Sequence, residues 1–224
     1  MIFHVITLFP NSLESYLKTS IIGRAITAKK ISVRTYDPHV YGIGKWKKTD
    51  DRPYGGGPGQ VQYALPILKA VERIKLKAKS RKLKAIIFSP SGKKFTNILA
   101  RKWAKEGKDI ILISGRYEGI DARVKKILKA DLSAKTLASV EEVSIGDYVL
   151  TGGELPAMVV IDAVSRQIPG VLGRFESVEE NRISSGKVYT RPEILEYKGK
   201  KYRVPKVLLT GHHGKINEWK KKNK

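Results

Sequence analysis

Along the first 130 residues, short runs of apolar and β-branched residues alternate with longer stretches in which apolar positions recur every three or four residues. The short runs predict strands over Ile2–Phe9, Ile31–Tyr36, Ala85–Ser89 and Ile110–Ser114. The helical spacing predicts helices over Ser12–Lys29, Ala64–Lys79, Phe95–Glu106 and Ile120–Lys129. Such alternation predicts an α/β domain on a mainly parallel sheet. The runs AIIFS and IILIS are apolar at almost every position, as in strands that helices cover on both faces. Farther on, Ser144–Ala157 reads SIGDYVLTGGELPA. Its β-prone Tyr148, Val149 and Leu150 run into Gly152 and Gly153, and a helical pattern then extends from Glu154 to Ile168, so a strand, a tight turn and a helix start are expected. Paired glycines let a backbone pass close to a ligand and make positive φ available. From Ile168 to Ser185 the pattern breaks, with Pro169, Gly170, Gly173, Ser177 and acidic Glu176, Glu179 and Glu180. The expected layout is therefore a first domain over 1–167, a mobile linker over 168–185 and a small basic, mainly helical domain over 186–224.

Composition narrows the function classes. A hydrophobic fraction of 41% over 224 residues supports a sizeable core. There is no cysteine, and His4, His39, His212 and His213 lack zinc-ligand spacing, so neither disulfides nor a structural metal is expected. The start, MIFHVITLFP, has no charged leader and no cleavage site and reads as a buried first strand. No apolar run is long enough to span a membrane, and a reducing, cytoplasmic setting is expected. The formal charge of +23, from 44 Lys or Arg against 21 Asp or Glu, points to a polyanionic partner. Part of that charge, the run Lys69–Lys84, reads equally as a solvated helix face. The end of the chain is more telling. From Gly186 to Lys224, twelve Lys or Arg face only three Glu, with Tyr189, Tyr197, Tyr202 and Trp219 interleaved. Cations for phosphates and rings for bases suit RNA.

Glycine-marked loops carry the candidate chemistry. Gly92-Lys93, Gly107-Lys108 and Gly214-Lys215 are not followed by Ser or Thr as a P-loop requires, and no GxGxxG follows a strand, which argues against both common nucleotide cradles. Ligands in open α/β sheets sit beyond the carboxyl ends of the strands. Ser89-Pro90-Ser91-Gly92, Ser114–Asp121 (SGRYEGID) and Ser144–Ala157 are therefore expected to converge on one pocket. A fourth loop, Asp50–Gly59 (DDRPYGGGPG), is expected on the same side, its glycines and prolines specifying a shape.

These segments, with Val164–Gly173 (VSRQIPGVLG) and Tyr189–Glu193 (YTRPE), resemble in order the bacterial tRNA (guanine-N1)-methyltransferase family. The resemblance implies a SPOUT-type knotted fold, in which a mainly parallel sheet carries a trefoil, although knots are nearly absent from proteins at large. It implies a homodimer with an active site shared between subunits, and methylation at N1 of guanosine 37 of tRNA, reached through the anticodon arm. The donor is S-adenosyl-L-methionine. Its pocket falls on Ser89, Pro90, Gly115, Tyr117, Glu118, Gly119, Ile145, Gly146, Asp147, Tyr148, Val149, Leu150, Gly152, Gly153 and Pro156. On the residues alone, Tyr148 and Leu150 read equally as core. Asp50, Pro58 and Gly59 match positions near the target guanine, although Asp50 reads equally as a turn residue. A Mg2+ ion is left open.

Guanine N1 holds a proton at neutral pH, so methylation calls for a base, commonly worth about 10²–10⁴-fold. The family uses a linker aspartate, with the arginine of the SR-x-IPG run, here Arg166, stabilising charge on the guanine. On sequence alone Arg166 also reads as a cation at a helix end. Aligning on Gly173 and Ser177 puts Asn181 at the aspartate's place, and an amide cannot take that proton. Two readings follow: Glu180 supplies the base, or the chain is an RNA-binding SPOUT protein with weak or lost catalysis.

Overall fold

The computed structural model describes residues 1–78, 82–134, 137–173 and 185–223. It divides into two units, Met1–Val171 and Leu172–Lys224.

In the first unit, β1 (Ile2–Ile6), β2 (Ser32–Tyr36), β5 (Leu83–Lys94), β6 (Asp109–Ile113) and β7 (Leu137–Ser144) form a five-stranded sheet in the order β2-β1-β6-β5-β7. Every pairing is parallel. The central strand β6 is buried at all five positions, as its uninterrupted apolar run requires. One core layer packs α2 (Ser20–Thr27), α4 (Asn97–Glu106) and α6 (Glu154–Ser165) against the sheet through Phe3, Leu112, Trp103 and Val160. The other packs α3 (Ala64–Ala78) and α5 (Arg123–Ala130) through Ile6, Ile67, Ile111 and Val124. Helices on both faces explain why the inner strands β1 and β6 are apolar at nearly every position.

Five local expectations are corrected. The helix expected over Ser12–Lys29 is a 3-10 turn (Pro10–Leu13), α1 (Glu14–Leu17) and α2, because the chain turns at Ser20, with φ 50°. Gly23 then lies so close to α1 that a Cβ would sit 2.6 Å from the Lys18 carbonyl. The first strand stops at Ile6, and β5 runs past Ser89 to Lys94, with a register shift between Phe88 and Lys93. The sequence pattern predicts no strand between the Ile120–Lys129 helix and Tyr148, yet β7 lies there. Its Glu141 and Glu142 hide the strand pattern, yet they pair with Lys84 at 2.6 Å and Lys125 at 2.5 Å on this edge of the sheet. Tyr148–Leu150 is not a strand: the ladder ends at Ser144 and these residues lie in a loop.

Two short strands, β3 (Asp50–Asp51) and β4 (Val61–Gln62), pair antiparallel and hold the Asp50–Gly59 loop between them. The second unit carries a hairpin absent from the expected helical layout: β8 (Ile194–Tyr197) and β9 (Lys200–Arg203), joined through Lys198 and Gly199. Both turn residues have positive φ, 51° and 71°, the signature of the hairpin turn that matches strand twist. Helices α7 (Lys206–Leu209) and α8 (His213–Lys222) follow, and Tyr189 packs tilted against Trp219 with ring centroids 6.2 Å apart.

Candidate functional site

A bulge within β5 and the loops that follow β6 and β7 enclose one solvent-open cleft of about 230 Å3. Its concave shape and mixed apolar and backbone lining suit a small-molecule ligand. Each loop is shaped by a different local device.

From β5, Ser89–Gly92 bulge out of the ladder while Val143 of β7 pairs on both sides of them, with Phe88 and with Lys93. A Cβ on Gly92 would stand 2.5 Å from the Val143 nitrogen, so glycine lets the strand return to its partner. From β6, the chain turns through Gly115 to Gly119, closed by Gly119 N–H donating to Arg116 O at 3.1 Å. Tyr117 sits there at φ 58°, a conformation unusual for a side-chain-bearing residue. From β7, Ser144 Oγ donates to Gly146 O at 2.9 Å, and the Tyr148 hydroxyl donates to Ile145 O at 3.3 Å, folding the loop over itself.

The double glycine then joins the second and third loops. Neither Gly152 nor Gly153 uses the positive φ that the sequence suggested; both are there for space. A Cβ on Gly153 would meet Ser114 Cα at 2.5 Å, and one on Gly152 would meet Arg116 Nε at 2.4 Å. Gly153 N–H donates to Gly115 O at 2.8 Å, and Arg116 bridges Gly152.

Glu154 opens α6 just beyond, only 4% exposed. Thr7 Oγ1 donates to its Oε1 at 2.6 Å, and Arg116 Nη2 lies 3.0 Å from Oε2. The guanidinium also covers the Phe9 ring at 4.5 Å. A carboxylate in the first turn of a helix is favoured by the exposed N–H groups there, and burial makes its pairing with Arg116 necessary. Gln62 of β4 ties in the fourth loop: its Oε1 accepts from Arg116 N–H at 3.1 Å and its N–H donates to Gly119 O at 3.0 Å.

Of the residues expected to bind a donor, Ser89, Pro90, Gly115, Tyr117, Glu118, Gly119, Ile145, Gly146, Tyr148, Val149, Leu150, Gly152, Gly153 and Pro156 all line the cleft. Asp147 does not. Its carboxylate turns outward to Lys94 at 2.7 Å. Tyr148 and Leu150 are 56% and 37% exposed, which corrects the alternative of core packing for these two, and Val149 beside them is 80% exposed. Pro58 and Gly59 stay outside the lining, but a Cβ on Gly59 would press on the Glu118 carboxylate at 2.6 Å, so their loop abuts the rim. Asp50 lies in β3, where its Oδ1 accepts from Thr49 Oγ1 at 3.2 Å. Arg166 caps the carboxyl end of α6, one turn after Asp162, and Asp162 accepts from the Tyr16 hydroxyl at 2.6 Å. That hydrogen bond, with burial, pushes the Tyr16 hydroxyl up to about 12. Glu180 and Asn181 lie outside the described residues.

Sequence reasoning missed Arg116, Thr7, Gln62 and Glu154. Arg116 and Glu154 stand inside the quoted motifs, and a carboxylate directly after a double glycine was the available signal. Nothing marked Thr7 or Gln62. Among the described residues, no group of three or more His, Cys, Asp or Glu is placed to hold a metal ion, and no helix is long and apolar enough to cross a membrane.

Comparison with known proteins places these features in context. Residues 1–224 match the family model described as tRNA (Guanine-1)-methyltransferase TrmD. The chain is 45% identical over 224 residues to a tRNA (guanine-N(1)-)-methyltransferase of Lachnospira eligens, covering 98% of this chain and 88% of that protein. It is 42% identical to a protein of the same name from Pseudoalteromonas atlantica, covering 98% of this chain and 78% of that one. The protein of that name from Clostridioides difficile is 41% identical over 225 residues, with coverage of 99% and 91%.

Proposed function

Since the chain belongs to the tRNA (guanine-1)-methyltransferase family, we propose that it transfers a methyl group from S-adenosyl-L-methionine to N1 of guanosine 37 of tRNA, next to the anticodon. The observation that carries this reading is the cleft itself: three glycine-shaped loops at neighbouring strand ends, with Tyr148, Val149 and Leu150 exposed along one wall. Exposed apolar side chains in a concave site suit an aromatic ligand such as adenine, while the backbone at Gly115, Gly119 and Gly152 can approach its polar edge. Glu118, on the same rim, is the carboxylate available to a sulfonium.

When bound, the donor supplies a methyl group on a positively charged sulfur. Methyl transfer forms the N1–CH3 bond and breaks the S–CH3 bond, whose electron pair stays on sulfur, while the N1 proton passes to a base. Arg166, at the carboxyl end of α6, is our candidate for stabilising charge on the guanine. Glu180 is our candidate base, with Asn181 at the position where the resemblance implies an aspartate. Pro58 and Gly59 would seat the guanine beside Glu118.

The shared homodimer site belongs to the same reading. Phe9 and Tyr16, with Leu155 and Val159 one turn apart on α6, are exposed apolar side chains suited to a second copy. The exposed Tyr197 and Tyr202 among lysines in the second unit suit the tRNA, and the setting is cytoplasmic. The trefoil path, and the division into a donor domain, a linker over 168–185 and a basic domain over 186–224, belong to it too. The binding-module reading has no comparison on its side, since these relatives are all named as methyltransferases.

Labelled donor, purified protein and a transcript bearing guanosine 37 test the proposal, with the product mapped by mass spectrometry. N1-methylguanosine at that position is expected, abolished in Arg166→Ala, slowed in Glu180→Gln and maintained or raised in Asn181→Asp. Donor binding without transfer would restore the binding-module reading, and a methyl group on another nucleotide would reassign the substrate.

A further inference from the structure

Trp46 is the most exposed of the three tryptophans. It is 80% exposed, whereas Trp103 is buried in the core and Trp219 packs against Tyr189. A tryptophan held in water forgoes the burial that its large apolar surface offers, so its position calls for a partner.

The segment presenting it is built, not loose. Ile43 and Lys48 exchange both backbone hydrogen bonds, at 2.8 and 3.0 Å, and Lys47 N–H donates to Gly44 O at 3.2 Å. Gly44 and Lys47 take positive φ, 70° and 51°, to close the turn. Trp46 stands at its tip among exposed Lys45, Lys47 and Lys48, with the Lys45 ammonium 5.7 Å from the ring centroid. No acidic residue lies between Ile43 and Thr49. An exposed ring flanked by cations is the combination that binds single-stranded nucleic acid: the ring stacks on a base and the cations meet the phosphates.

The tip is also wired to the cleft. Buried Thr49 follows it, and Thr49 O accepts from Tyr63 N–H at 2.7 Å. Next come β3 and β4, and Gln62 of β4 bonds to Arg116 and Gly119 in the cleft wall. A base stacked on Trp46 would thus be held by an element in hydrogen-bonded continuity with the donor site.

We propose that the Ile43–Lys48 turn is an additional RNA-docking element in which Trp46 stacks on an unpaired base of the substrate tRNA while Lys45, Lys47 and Lys48 contact neighbouring phosphates. This rests on the tRNA methyltransferase reading given above. A protein partner is disfavoured by the three lysines around a single ring, because charged residues are depleted from the cores of protein interfaces.

The test uses the full chain, S-adenosyl-L-methionine and a guanosine-37 transcript, and compares wild type with Trp46→Ala and Trp46→Phe. Loss of one stacked base should raise the KM for tRNA by about 5- to 150-fold in Trp46→Ala. The KM for donor and kcat at saturating tRNA should not change, and Trp46→Phe should recover most of the loss. In parallel, tRNA should shield from acrylamide the fluorescence component that wild type has and Trp46→Phe lacks. An unchanged KM for tRNA in Trp46→Ala, or full quenching with tRNA bound, would overturn the inference while wild-type turnover stands. Shielding on self-association without tRNA would assign the turn to a protein contact and overturn it equally. If the wild type neither binds nor methylates tRNA, the enzymatic reading fails first and takes this one with it.

Discussion

Replacing Gly153 by alanine isolates the contact that joins two walls of the cleft. Its φ of −85° suits any residue, so only space is at issue. The new Cβ would sit 2.5 Å from Ser114 Cα and 2.9 Å from Gly115 N, where ordinary contact begins at 3.4 Å. Both obstacles are backbone, so the two turns must part by about 1 Å, which breaks the 2.8 Å hydrogen bond from Gly153 N–H to Gly115 O. Overpacking of this kind costs about 1–3 kcal/mol, and the lost hydrogen bond adds about 0.5–1.5 kcal/mol. If about 2 kcal/mol of that must be overcome to bring the walls together on the ligand, affinity for S-adenosyl-L-methionine falls about 30-fold. Calorimetric titration with the donor reads this directly. Gly23→Ala serves as a clash-matched control: its Cβ would stand 2.6 Å from the Lys18 carbonyl in the α1–α2 turn, outside the cleft lining. It should lower the melting temperature and leave donor affinity within about two-fold. Wild-type donor affinity in Gly153→Ala, or an equal loss in Gly23→Ala, would refute the argument that this approach shapes the donor site.

Glu154→Gln keeps an acceptor for Thr7 but removes the charge facing Arg116, whereas Glu154→Ala removes both. Urea unfolding should show Glu154→Ala as the costlier change, near the lower end of the about 3–5 kcal/mol typical of breaking a buried pair, because Arg116 keeps a quarter of its side chain exposed. At Asp121, the hydrogen bond from Arg123 holds the carboxyl below its usual range. Its stabilisation is therefore complete above the unfolded-state value of about 3.9 and is lost as pH falls through the lower folded-state value. With Arg123 69% exposed, the pair contributes only up to about 1 kcal/mol. Unfolding curves should accordingly separate wild type from Asp121→Asn at pH 7 and converge below about pH 4.

The strands that were legible in the sequence are those in which apolar residues dominate. β1 and β6 each carry one polar residue, His4 and Asp109, among four apolar ones, and their identity follows from composition. β7 escaped because Glu141 and Glu142 look like surface, and only the cations on neighbouring elements, Lys84 and Lys125, make them compatible with a sheet. Tyr148–Leu150 failed in the opposite direction. A β-branched and aromatic run is what a strand needs to pack, and it is equally what a cleft needs to line an apolar wall. Residue identity cannot separate the two, since the difference lies in whether a neighbour covers the side chains. Thr7 and Gln62 were illegible for a related reason: the side chain of each acts through a long-range hydrogen bond, with Glu154 and Arg116 respectively, and leaves no local pattern.

Glycine was the most informative letter in the chain, yet it does two opposite jobs here. Gly55, Gly56, Gly57 and Gly59 all hold positive φ, and the first three have open space where a Cβ would go, so that loop needs glycine for its backbone path. Gly92, Gly152 and Gly153 have no positive φ and would collide with backbone or with the Arg116 and Glu154 side chains, so the cleft walls need glycine for proximity. The two uses respond differently to substitution. A D-amino acid suits the positive φ of the first class, whereas in the second class repacking a neighbour can relieve Gly152, where side chains obstruct, but not Gly153, where backbone does. The cleft is thus fixed at Gly153 by main chain against main chain, the least adjustable contact a protein can make. That contact lies beside Glu154 and Arg116, so the charge network and the cleft wall are set by the same turn.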